Sequence, residues 1–103
     1  MTEPPLKIVL HAPTAGALAR ARSNLANLNN TSPAPEVRIV VNAEAVAAAL
    51  DNPNGMADRL TLVCANTLRK LGREARPPLT VRAEDAVLGL AARELEGWPY
   101  IRA

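Results

Sequence analysis

The chain carries one cysteine and one histidine, so nucleophilic, sulfur or imidazole chemistry comes down to Cys64 and His11. Cys64 ends the apolar run Arg59–Cys64 and precedes the helical segment Asn66–Leu71. The unpaired amides and positive end of that segment would favour a thiolate, the form that attacks sulfur–sulfur bonds. Cysteine is also among the most buried residue types, so the same position suits a small, inert hydrophobe. His11 ends the run Leu6–His11. In a parallel sheet, strand carboxyl ends sit side by side at about 4.8 Å per strand step, which makes His11 a candidate proton acceptor for Cys64. Its other reading is a hydrogen bond within the following loop. One Cys and one His fall short of the three or four ligands zinc takes, so no metal site is expected within one chain; only a trimer axis would assemble enough.

Thr14, Asn42 and Asn66 are the candidate binding residues. Asparagine offers donors and an acceptor without charge, and Asn42 and Asn66 each follow a strand-like run. Either would orient an anion or the Cys64 sulfur, or else serve as a cap or turn former. Thr14 opens a helix after Pro13, where exposed amides bind small anions or where the side chain is an ordinary N-cap. Arg20 and Arg22 lie on a largely polar helix face, either solvated or turned to an anionic partner. Trp98 and Tyr100 anchor either a subunit interface or the chain's own sheet edge.

The elements that position these residues repeat as strand then helix. Leu6–His11 is rich in strand formers. From Ala15 the apolar residues Leu18, Ala21, Leu25 and Leu28 recur at helical spacing. After a break at Asn29–Pro35 comes a second strand, Glu36–Asn42, with a short Ala-rich helix over Glu44–Leu50. Asn52-Pro53-Asn54-Gly55 reads as a turn, Arg59–Cys64 as the third strand and Asn66–Leu71 as a helix stopped by Gly72. Leu79–Arg82 is a fourth short strand, and Glu84–Glu96 reads as a helix with Val87, Leu88, Ala91 and Leu95 inward. Trp98–Arg102 reads as an edge strand or extended tail, since Pro99 lacks an amide. Four such units predict a three-layer α/β/α sandwich with a four- or five-stranded, mostly parallel sheet. In such sheets ligands gather beyond the strands' carboxyl ends, where His11, Asn42 and Cys64 fall.

The 103 residues make one domain, with residues 1–5 expected to be a flexible tail. Twelve basic against ten acidic residues, scattered along the chain, imply no nucleic-acid partner. Aromatic content of 2% removes base-stacking platforms. No apolar run approaches the roughly 20 residues that span a bilayer, and a lone cysteine with no leader-like start predicts a cytoplasmic protein. Three small α/β classes fail at the strand ends. A receiver domain needs an Asp where Cys64 stands. A thioredoxin-like protein needs a second thiol, but Cys64 is followed by Ala65-Asn66-Thr67. Pro13-Thr14-Ala15-Gly16 matches no dinucleotide or Walker loop, so no cofactor is expected.

The chain resembles the DsrE/F-like (YchN-like) proteins of intracellular sulfur metabolism over nearly its whole length. The resemblance rests on Lys7–Thr14, Ala19–Asn24, Val41–Val46, Val63–Leu68 and Glu96–Tyr100. It implies an α/β/α fold, a homo-oligomer such as a trimer or hexamer, and persulfide sulfur on Cys64. On that reading the chain is a sulfur carrier or sulfurtransferase-like protein working with a donor or acceptor protein, with His11, Asn42 and Asn66 around the cysteine. The alternative is a non-enzymatic, homo-oligomeric ligand-binding or assembly module with an inert Cys64.

Overall fold

The computed structural model describes residues 6–82 and 97–103. The expected tail at residues 1–5 and the expected helix Glu84–Glu96 lie outside the described residues. The elements run β1 (Lys7–Ala12), α1 (Ala15–Leu28), β2 (Glu36–Val41), α2 (Glu44–Asp51), α3 (Gly55–Asp58), β3 (Thr61–Cys64), α4 (Ala65–Leu71), β4 (Thr80–Arg82) and β5 (Tyr100–Arg102). They build an α/β sandwich around one five-stranded sheet of order β4-β3-β2-β1-β5. Every neighbouring pair is parallel.

Alternation along the strands divides the core. Leu10, Ala12, Val37, Ile39, Val41 and Val63 pack with Ala17, Leu18, Ala21 and Leu25 of α1, Ala45, Val46 and Ala49 of α2, and Leu68 of α4. Alanine at so many contact positions lets the helices approach the sheet closely, so a core without Phe still closes. The residues in between point to the opposite face, where Val9, Val40, Leu62 and Cys64 are buried with Trp98.

Local chemistry sets the helix ends. Thr14 caps α1 through Oγ1, which accepts from the Ala17 amide at 3.0 Å. Gly72, left-handed at φ 65°, ends α4 with its amide on the Arg69 carbonyl. The turn read at Asn52–Gly55 is followed by one further helical turn, α3. Asn54 caps it, its Oδ1 accepting from the Ala57 amide at 3.0 Å. This displaces the start of the third strand from Arg59 to Thr61. Helix α4 begins at Ala65, so Cys64, not Asn66, is its N-cap residue.

The chain steps outward from β1 to β4, then returns to lay β5 on the other side of β1. The carboxyl ends of β1 and β5 therefore flank the point where the order reverses, the usual place for a ligand crevice in an open parallel sheet. The aromatic-bearing end segment is an edge strand, and Pro99 joins the ladder through its carbonyl, which accepts from the Val9 amide at 2.9 Å. Among the described residues no helix is long and apolar enough to cross a membrane.

Candidate functional site

At the reversal point three side chains form a hydrogen-bonded row. His11 is paired with Val40 of β2 and Arg102 of β5. Its Nδ1 lies 2.8 Å from the Tyr100 hydroxyl and its Nε2 2.9 Å from Asn42 Oδ1. The His11 and Tyr100 rings lie 5.6 Å apart and tilted by 42°. The row is graded: Asn42 and His11 are half-buried, whereas Tyr100 is 40% exposed. Solvent thus reaches the phenol end first.

Asn42 is held from several sides. Its amide reaches the Ala12 carbonyl at 3.4 Å and its carbonyl accepts from the Ala45 amide at 3.1 Å. It therefore shapes the turn into α2 as well as orienting His11. The next residue, Ala43, sits at φ 49°, ψ −133°, a conformation that costs a non-glycine residue on the order of 1–3 kcal/mol. Its amide reaches Thr67 Oγ1 at 3.4 Å. Nothing in the residue type announced this strain beside the site, since the position is an alanine where glycine would be expected.

The other expected residues fall elsewhere. Cys64 is 4% exposed, and its own side chain makes no cap bond to α4. Strand β2 separates it from His11: Val40 pairs with both His11 and Leu62, and Cys64 lies two residues beyond Leu62. Two strand steps are about 10 Å across the sheet, so the structure does not bring the imidazole and the thiol into contact. Asn66 is exposed in the first turn of α4, where its Oδ1 accepts from Arg69 at 3.5 Å. Thr14 spends its hydroxyl oxygen on its own helix. Arg20 donates to the Ala103 carbonyl at 3.5 Å. Trp98 is buried within its own chain, with Lys7 and Arg38 over its ring at 5.6 and 5.7 Å.

A second polar cluster had no sequence signal. The Asp58 side chain, in a residue only 1% exposed, meets Arg76 at 2.7 Å and Arg22 at 3.4 Å and accepts from the Asn54 amide at 2.9 Å. Arg76 also donates to the Ala49 and Leu50 carbonyls near the end of α2. Burial pushes the Asp58 carboxyl up, but the hydrogen bonds from Arg76 and Asn54, with the charges of Arg76 and Arg22, outweigh it and hold the carboxyl below its ordinary value. Burial, opposed by the Asp58 charge and assisted by Arg76, lowers Arg22. Arg22 is thus held at Asp58 rather than solvated, with its Nε buried and without a hydrogen bond. An open cavity of about 630 Å³ between α4 and β4 is lined by Ala65, Leu68, Arg69, Arg73, Ala75 and Val81, among others. Among the described residues no group of three His, Cys, Asp or Glu is placed to hold a metal ion.

Comparison with models of known protein families gives no match, and no curated protein is significantly similar to the chain.

Proposed function

We propose that this protein is a homo-oligomeric small-ligand-binding module with its site at the Tyr100–His11–Asn42 row, near the carboxyl end of β1, and an inert Cys64. The observation that carries this reading is the bonding of His11. Both ring nitrogens are engaged by Tyr100 and Asn42, leaving no imidazole to activate a thiol buried two strands away. Exposed Ile101 on the β5 edge, on the face away from Tyr100, gives a trimer or hexamer an apolar surface, and the reading places the protein in the cytoplasm. The test is a nuclear magnetic resonance screen of a labelled protein against neutral, cationic and anionic small molecules. Shifts clustered at His11, Tyr100 and Asn42 are expected; a full screen that moves none of them removes the reading.

The sulfur-carrier reading, with its DsrE/F-like resemblance, remains as a second proposal because Cys64 stands at the carboxyl end of β3 and at the start of α4. In it the Cys64 thiolate attacks the outer sulfur of a donor persulfide, forming Cys64-S-SH and releasing the donor thiolate. Intact mass after exposure of the folded protein to a persulfide donor decides it. A reductant-reversible gain of about 32 Da, absent in Cys64→Ser, supports the carrier. A thiol modified only after denaturation ends that reading for the isolated chain.

A further inference from the structure

We propose that the Tyr100–His11–Asn42 row binds small anions at the Tyr100 hydroxyl and takes up one proton on His11 as it does so; this rests on the crevice being a ligand site. The direction of the two hydrogen bonds carries the argument. With Asn42 Oδ1, an acceptor, 2.9 Å from Nε2, the tautomer we assign to the neutral ring carries its hydrogen on Nε2. In the neutral ring the lone pair is then on Nδ1, and the Tyr100 hydroxyl 2.8 Å away donates its one proton to it. The exposed phenol oxygen has only lone pairs left for a visitor, which suits a donor and repels an anion.

One added proton reverses that polarity and leaves the rest of the row in place. Protonated Nδ1 becomes the donor, the phenol oxygen accepts, and the Tyr100 hydroxyl hydrogen turns outward. The Nε2 bond to Asn42 is unchanged. The proton comes from solvent and stays on the imidazole; no other bond is made or broken. The site then presents a hydroxyl donor backed by a cation, with exposed Arg102 paired directly with His11 in the β1–β5 register.

The charged and titratable surroundings are mixed in sign, with Arg102 the cation in register with His11 and, on β2, Glu36 and Arg38 paired with each other at 3.3 Å. Among the described residues, β5 offers Tyr100 and Arg102, and the β2–α2 side offers exposed Glu44, two residues past Asn42. Within β1 the other cation, Lys7, is beside Trp98, and Arg20 of α1 is turned to the Ala103 carbonyl. On β3, Cys64 is two strands away.

Because the chain has one histidine, its imidazole resonances report the proton directly. The experiment titrates full-length protein with pH, with and without sodium sulfate, a dianion at every pH used, against sodium chloride at matched ionic strength. Sulfate is expected to raise the His11 midpoint, and by reciprocity its affinity to fall as pH rises from the free midpoint to the sulfate-bound one and to level off beyond it. Tyr100→Phe keeps the His11 titration but loses the sulfate-dependent shift. Sulfate that leaves the midpoint unmoved, or a coupling that survives Tyr100→Phe, overturns the proposal. If neutral or cationic probes still move His11, Tyr100 and Asn42, the crevice stands as a site and only the anion coupling falls. If no probe moves them, the underlying reading falls with it.

Discussion

The two polar clusters use hydrogen bonds of similar length to opposite ends. The Asp58–Arg22–Arg76 cluster is closed: a buried carboxylate is met by two arginines and a backbone amide, and one arginine continues to the end of α2. It ties α1, α3 and the segment after α4 together at the amino ends of the strands. The Tyr100–His11–Asn42 row is open. It starts from a half-buried amide and finishes on the exposed phenol of Tyr100, the first residue of β5, which reaches His11 near the carboxyl end of β1. In the closed cluster the carboxylate is fully engaged and the one unbonded donor, Arg22 Nε, is buried away from any ligand, so it serves the fold; an open one keeps a valence facing water.

The sharpest way to break this contrast is to remove the buried carboxylate. Asp58→Ala leaves two arginines facing each other with little solvent and is expected to cost about 3 kcal/mol or more in urea unfolding, as when one partner of a buried pair is deleted. The pH dependence has a definite sign. A carboxyl held below its ordinary value of about 3.9 contributes stability that is present above that pH and lost as pH falls through the folded-state value. Asp58→Asn, which keeps the shape, is therefore expected to flatten the acid limb of the stability profile. An unchanged acid limb would show that the cluster carries no net linkage.

The contrast also explains what was legible beforehand. Strand and helix periodicity is a local property, so the strand–helix alternation, the parallel sheet and the Thr14 cap were readable from spacing alone. Strand order is not local, and it placed β2 between His11 and Cys64. Tyr100 was visible as a rare aromatic, yet its pairing with His11 depends on β5 returning to the side of β1, across 89 residues of chain. Asp58 lay between the turn read at Asn52–Gly55 and the strand read from Arg59, because one extra helical turn capped by Asn54 is too short to show a period. Its partners come from α1 and from the loop after α4, which no window of sequence joins.

The strained residue beside the open row gives the next effect, of opposite sign. Ala43 at φ 49°, ψ −133° occupies a region glycine enters freely. Ala43→Gly is expected to stabilise the fold by about 1 kcal/mol, less the extra chain entropy of glycine. If the strain also fixes Asn42, the variant should loosen the His11 row and weaken any ligand response while the melting temperature rises. A rise with no change at His11 separates the strain from the site.

Tyr100→Phe removes one exposed hydrogen bond and is expected to cost no more than about 0.5–1 kcal/mol of stability, several-fold less than Asp58→Ala. A large loss would mean that the row is part of the fold's framework, and the division between closed and open clusters would fail at that point.

The smallest effect tests whether burial or distance makes that division. Asp51 and Arg73 meet at 2.8 Å, nearly the 2.7 Å of Asp58 and Arg76, but their side chains are 61% and 40% exposed. Water already solvates both charges, so forming the pair gains little and breaking it strands nothing. Asp51 also ends α2, where a negative charge opposes the helix dipole, which offsets part of the attraction to Arg73. Asp51→Ala is therefore expected to change stability by less than about 0.5 kcal/mol, and by less still in high salt. A loss approaching that of Asp58→Ala would put the energetics in the contact itself, and then the open row at Tyr100 would have no claim to spare capacity on the ground of its exposure.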